Sequence, residues 1–279
     1  MAIEVEKTRS FQQFSTLQGP LLAHQFGKVR MRHISCCFNC AFECIMRSFL
    51  IPFMLSLVSL SSTWGQVPHI KPNSIITVPD RSKAEYEKLY ARFDETLDKE
   101  VELILENDAF YQDIYSPSAN SWWWYCNTDF ISVKASSCLL PSDKYSYQAE
   151  QAFDADHDTA WVEGVEGQGI GEYLEYEFAG GCPRITTVKI MNGYVKNDTA
   201  WRENSRVKKL KMYYQGNPFA ILDLQDSRSL QCFDVGELGP HDENAPNWTL
   251  RFEILEVYEG DKYDDTVISE LFFDGIDVH

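Results

Sequence analysis

The chain has 279 residues, 44% hydrophobic and 14% aromatic, enough to bury a core along most of its length, so it is not a disordered acidic tail. A formal charge of −17 excludes nucleic acid, whose phosphates need stripes of Lys and Arg, and an anionic membrane surface. Neutral or cationic partners stay open.

From the N-terminus, residues 1–65 read as a presequence. Met46-Arg47 is followed by SFLIPFMLSLVSLSSTWGQ: one positive charge, an apolar run from Phe49 to Leu60, then the small residues Thr63 and Gly65. That is the layout of a secretory signal peptide over 46–65, and the run is short for a membrane span. An uncleaved anchor or a buried helix is the competing reading. The signal predicts export to the medium, the periplasm or the cell surface. Because such peptides open a chain, it also moves the expected start from Met1 to Met46 or Met31. Cys36, Cys37, Cys40 and Cys44 have zinc-ligand spacing, but they lie ahead of the cut. Beyond residue 65, 19 basic side chains face 39 acidic ones, a charge of −20. For an exported chain, Cys126, Cys138, Cys182 and Cys232 predict one or two disulfides. Proximity favours Cys126 with Cys138 and Cys182 with Cys232, against four buried thiols.

Residues 66–127 divide into linker and helix. QVPHIKPNSIITVPD, residues 66–80, mixes Pro, Asn and Ser with little periodicity and reads as an extended linker. Ser82-Lys83-Ala84-Glu85 then has capping-box spacing. Tyr86, Leu89, Tyr90, Phe93, Leu97, Val101, Ile104 and Leu105 recur every three or four residues, which predicts one amphipathic helix over 82–107. Such a helix packs on a domain or on a partner. Trp122 to Trp124 cannot all face one side of a strand; they fill a core in alternation or offer a stacking platform for a sugar.

From 128 to 279, short strand signals alternate with turn residues. The pattern predicts strands near Ile131–Ala135, Glu172–Phe178, Thr187–Asn192, Val207–Tyr214, Phe219–Leu224, Ser229–Asp234, Thr249–Val257 and Ile268–Phe273. With no long helix between them, they predict an all-β antiparallel sandwich or barrel rather than a parallel sheet with crossover helices.

One loop, Phe153 to Trp161 (FDADHDTAW), carries candidate chemistry. A catalytic carboxylate pair needs two acids on opposite sides of a bond, whereas Asp154 and Asp156 in one tight turn face the same point. Clustered oxygens followed by the Thr159 hydroxyl suit a hard cation such as calcium. A solvated acidic turn fits the spacing equally well.

YSYQAEQAFDADHDTAWVEG at 145–164, together with VISELFF at 267–273, resembles the discoidin or coagulation factor 5/8 type C domains, relatives of many carbohydrate-binding modules. A narrower resemblance runs from about Phe130 to Phe273, through TAWVEGVEGQGIGEYLEYEF, VKIMNGYVKN, ENSRVKKLKMYY and LEVYEGDKYDDTVISELFF. These look like the variant that forms the translocation domain of bacterial NAD glycohydrolases. The resemblance implies a galactose-binding-like jelly-roll β-sandwich, here with an N-terminal α-helix. It also implies a structural calcium ion (Ca2+) held by the side chains of Asp154, Thr159 and Glu270 and by backbone carbonyls of Gln151, Asp156, Thr159 and Ser269. Ala155 departs from the family's usual Asp-Gly at this turn.

The glycohydrolase activity of those proteins belongs to a separate catalytic domain, for which this chain has no room, so the resemblance implies neither an enzyme nor NAD binding. GVEGQGIGE at 164–172 has glycines but no helix behind it, which argues against a dinucleotide loop. His69, His157, His241 and His279 lack a visible Ser or Cys partner, and His157 reads as an exposed loop residue. Tyr194, Lys196, Trp201, Arg202 and Asn204 are the candidate sugar contacts, an aromatic face with polar groups beside it. In the competing reading Asn204 and Arg206 brace the loop and Trp201 covers the core. The expectation is an exported, non-catalytic module that binds a glycan or surface polysaccharide. The alternative is a protein-interaction or export module that takes a polypeptide partner through the N-terminal helix.

Overall fold

The computed structural model describes residues 66–115, 130–142 and 144–277; the segment read as a signal peptide, Trp122 to Trp124 and Cys126 lie outside them. The described strands are β1 (His69–Ile70), β2 (Ser74–Thr77), β3 (Phe130–Ala135), β4 (Trp161–Val162), β5 (Tyr173–Phe178), β6 (Ile185–Asn192), β7 (Ser205–Tyr214), β8 (Asn217–Asp223), β9 (Ser229–Leu238), β10 (Trp248–Tyr258) and β11 (Thr266–Gly275). Each predicted strand is present, within a few residues of its expected ends. Period-two alternation explains why: in β5, Leu174, Tyr176 and Phe178 point inward and the residues between them do not.

Hydrogen bonds join the strands in the order β2-β9-β6-β11-β7-β10-β5-β3, with β4 on β11 and β8 on both β7 and β1. Pairing is antiparallel except for β1 with β8 and a brief contact of β11 with β7, Thr266 beside Ser205 and Val267 beside Arg206. The two halves of the sheet share one core and so face each other as a jelly-roll β-sandwich. Val188, Ile190, Phe233, Leu271 and Phe273 enter it from one side, and Tyr176, Phe178, Leu210, Met212 and Phe252 from the other. The Tyr176 and Phe273 rings meet edge to face at 5.0 Å across it. Burial of each such side chain contributes about 1.5–3 kcal/mol.

The segment read as a linker is extended but engaged, because β1 and β2 add to the sheet edges. The predicted single helix is instead two, α1 (Lys83–Thr96) and α2 (Lys99–Glu106), followed by α3 (Ala109–Ile114). Leu97 adopts φ 51, and its N–H closes α1 on the Phe93 carbonyl. Asp98 then caps α2 by accepting from the N–H groups of Glu100 and Val101. An unbroken hydrophobic repeat hid this stop, since Leu97 keeps the period while lying 71% exposed. Tyr86, Val101, Leu105, Phe110 and Ile114 of the three helices pack on Met191, Leu230, Cys232 and Phe272, the outer face of the β9-β6-β11 half. Lys189 of β6, buried, reaches Asp113 of α3 at 2.9 Å and Asp274 of β11 at 3.3 Å. Among the described residues no helix is long and apolar enough to cross a membrane.

Among the described residues neither favoured disulfide is present, Cys126 lying outside them. Cys138 and Cys232 are free thiols, and Cys232 and Cys182 sit in different core clusters.

Candidate functional site

The acidic loop is fixed at both ends before it presents its oxygens. A short 3₁₀ helix, Ala149–Ala152, enters it, with Gln148 N–H donating to Gln151 Oε1 at 2.9 Å. Phe153 then buries its ring 4.4 Å from Phe130 and 5.6 Å from Tyr176. Ala155 is held at φ 53, a left-handed backbone that costs a Cβ-bearing residue about 1–2 kcal/mol.

That turn aims the loop at Glu270 of β11, which is 1% exposed. The Asp156 N–H donates to Asp154 Oδ1 at 2.9 Å and to Glu270 Oε1 at 2.7 Å, so the two carboxylates converge on one point. The Thr159 hydroxyl lies 2.8 Å from Asp154 Oδ2 and 2.9 Å from the Asp156 carbonyl. Glu270 Oε2 is buried with no hydrogen-bond partner. Burial, reinforced by Asp154, pushes the Glu270 carboxyl well above the usual carboxylate range, and burial raises Asp154 as well. Asp154 is exposed as a residue, yet its carboxylate turns inward on Glu270.

An orphaned buried oxygen beside a second carboxylate is the arrangement a hard cation resolves. Asp154, Thr159 and Glu270 bring side-chain oxygens there; of the residues whose carbonyls the resemblance implies as ligands, Gln151 lies in the 3₁₀ helix, Ser269 in β11, and Asp156 in the loop, its carbonyl accepting from Thr159. No cluster of three or more His, Cys, Asp or Glu side chains suited to a metal occurs among the described residues. Ser269 serves the loops too: its hydroxyl accepts from the Val195 N–H at 3.0 Å.

His157 is buried at 1% exposure rather than exposed as expected. Its Nε2 lies 2.9 Å from the Arg81 carbonyl, which can only accept, so Nε2 carries the hydrogen. Nδ1 then accepts from the Tyr115 hydroxyl at 2.5 Å. Burial lowers the imidazole's proton affinity, which favours the neutral ring. The loop is thereby tied to the helical layer, a role invisible in a sequence where Arg81 and Tyr115 are remote.

The candidate sugar contacts separate into two groups. Trp201 and Asn204 are used internally, on and just after α4 (Asp198–Glu203). Trp201 Nε1 donates to the Asn192 carbonyl at 3.0 Å, and the Arg206 guanidinium stacks on its ring at 4.6 Å. Asn204 Nδ2 closes α4 on the Ala200 carbonyl at 2.8 Å. Arg202 is exposed and folds back onto Asp198. Tyr194 and Lys196 instead join two residues the sequence reading left out. Tyr194 packs with Tyr147 beside Ala160 and Val162, and Lys196 lies 5.1 Å over the ring of Tyr145. Tyr145 is 47% exposed, while Tyr147 and Tyr194 are half-buried. Burial pushes the Tyr194 phenol up to about 12, with the carboxylates of Asp158 and Asp156 among its neighbours. The available signal was the pair of tyrosines, Tyr145 and Tyr147, just ahead of the acidic loop.

The sequence model of the NAD glycohydrolase translocation F5/8 type C domain matches residues 124–274. No curated protein matches the chain. Similar solved structures include the CBM32-1 and CBM32-2 domains of Clostridium perfringens ZmpB: 11% identity over 75% of this chain and 41% of that one, TM-score 0.40. The same domains in complex with GalNAc give 11% identity, 75% and 40% coverage and a TM-score of 0.40. Truncated AlyQ, with CBM32 and alginate lyase domains, gives 14% identity, 54% and 34% coverage and a TM-score of 0.33. The chain thus spans about two-fifths of the ZmpB fragments it matches.

Proposed function

The chain belongs to the NAD glycohydrolase translocation F5/8 type C domain family, and from that premise we propose that it is an exported, non-catalytic module that recognises a carbohydrate. The observation that carries this reading is the group of Tyr145, Tyr147, Tyr194 and Lys196 at the edge of the acidic loop. Partly exposed rings offer flat apolar faces for a pyranose, and Lys196 and the phenols supply hydrogen bonds to its hydroxyls. Calcium belongs to the same proposal, with Asp154, Thr159 and Glu270 to hold it. When bound, it supplies the positive charge that the converging carboxylates lack. Glu270 then keeps the loop against β11, and the loop supports the neighbouring tyrosines. Export rests on the signal-peptide pattern around Met46.

The test is binding of the full-length chain to a glycan array that includes GalNAc, in calcium and again with EGTA. Hits that weaken in EGTA and in Tyr145→Ala support the reading. A blank array from folded protein sinks it. A second reading, capture of a polypeptide, has its own observation: Leu97, Leu103 and Ile104 are 71%, 61% and 45% exposed on the helical layer. Retained partner binding by a chain silent on glycans would favour it.

A further inference from the structure

A cleft of about 340 Å³ opens between α1, α3 and the acidic loop. Its volume falls in the roughly 300–1,000 Å³ range of small-molecule sites. One wall comes from residues 83–115, which precede the family match at 124–274. The other wall is Asp154 and Ala155.

The lining is aromatic and its rings are braced. Tyr86 stacks on Tyr111 at 5.6 Å and lies 5.2 Å from Tyr115. Two of the phenols are spent, Tyr86 on Asp108 and Tyr115 on His157. The hydroxyls of Tyr90 and Tyr111 make no hydrogen bond to any described residue. They are neighbours, and burial, with Tyr90 beside it, pushes the Tyr111 phenol up to about 12, so it stays a donor. Lys83 and Glu87, one helical turn apart on α1, add a cation and an anion to the lining.

Mixed charge disfavours a phosphate, which wants several cations, and an ammonium, which Lys83 repels. An apolar floor with unspent donors and acceptors suits the C–H face and hydroxyls of a neutral pyranose. The same loop borders the tyrosine group, where Asp156 and Asp158 act on Tyr194. We propose that the cleft is a second sugar subsite, and that the ligand is a neutral oligosaccharide long enough to occupy both. This inference rests on the carbohydrate reading above.

The experiment is titration of the full-length chain, in calcium, with the neutral oligosaccharides of the array and with GalNAc alone. Tyr90 is 39% exposed and Glu87 is exposed, so Tyr90→Ala and Glu87→Gln should melt with the parent. Each variant should weaken an oligosaccharide, Tyr90→Ala by about tenfold, and weaken GalNAc less. Oligosaccharide binding unchanged in both variants but lost in Tyr145→Ala overturns the cleft and leaves the carbohydrate reading standing. Loss in Tyr90→Ala alone, with a lowered Tm, also counts against the cleft. Absence of any binding by the folded parent overturns both.

Discussion

Replacing Glu270 by Gln separates a cation site from a merely buried acid. Glu270 Oε1 takes the Asp156 N–H at 2.7 Å, and a Gln oxygen can do the same. Burial holds the acid well above its ordinary value and so favours its neutral form, to which Gln is close in shape and charge. In EGTA the variant should therefore lie within about 1 kcal/mol of the parent. In calcium the two should part. At a concentration about 100 times Kd the parent gains about 2.7 kcal/mol, which for a domain of this size raises Tm by roughly 5–10 °C. Glu270→Gln should show little of that rise. Calorimetry of both chains in calcium and in EGTA reads the four values. If calcium does not shift the parent's Tm, or if the variant melts lower by the same amount in both buffers, Glu270 is a structural acid and the cation proposal fails.

Three further outcomes follow from the same geometry. Protons and calcium compete for Glu270, whose metal-free carboxyl is raised above 4.5, so the calcium-dependent rise in Tm should be full at high pH and shrink as pH falls; a pH-independent rise would contradict this. His157, lowered below 6.5, acts in the same direction in the chelated protein: acidification through 6.5 favours the unfolded chain, and subtracting the EGTA curve removes that contribution. Ala155→Gly should relieve the strain at φ 53 and, after the extra entropy of an unfolded glycine, stabilise by up to about 1 kcal/mol in urea titration; a loss of stability would show the turn unstrained. Burial pushes the Cys232 thiol up to about 11, so peptide mapping after iodoacetamide at pH 8 should find the half-buried Cys138 labelled well before Cys232, and the reverse order would refute its burial.

What the sequence showed was whatever repeats over several residues. The alternation of Leu174, Tyr176 and Phe178 is visible in any window, whereas β4, only Trp161–Val162, is too short to have a period. Helical periodicity passes through Leu97 without a break, so the left-handed stop there had to come from Asp98 as a cap. The acidic loop was legible by spacing, and Glu270 by resemblance. Neither could show that Oε2 is left without a partner, which depends on how β11 lies under the loop. Trp201 misleads because a loop tryptophan looks available. Gly193, at φ 83, makes the space it fills, since a Cβ there would come within 2.9 Å of the indole and 2.6 Å of Arg206.

Every position of β11 from Thr266 to Phe273 is buried, and the strand lies between β6 and β7, touching both halves of the sheet. The strand that comes last among those described is therefore the one on which both halves close. A ribosome that has not yet delivered it leaves β6 and β7 without their shared neighbour and the acidic loop without Glu270. Completion of the sandwich thus waits for β11, and a chain that lacks it has two half-sheets with no common strand on which to close.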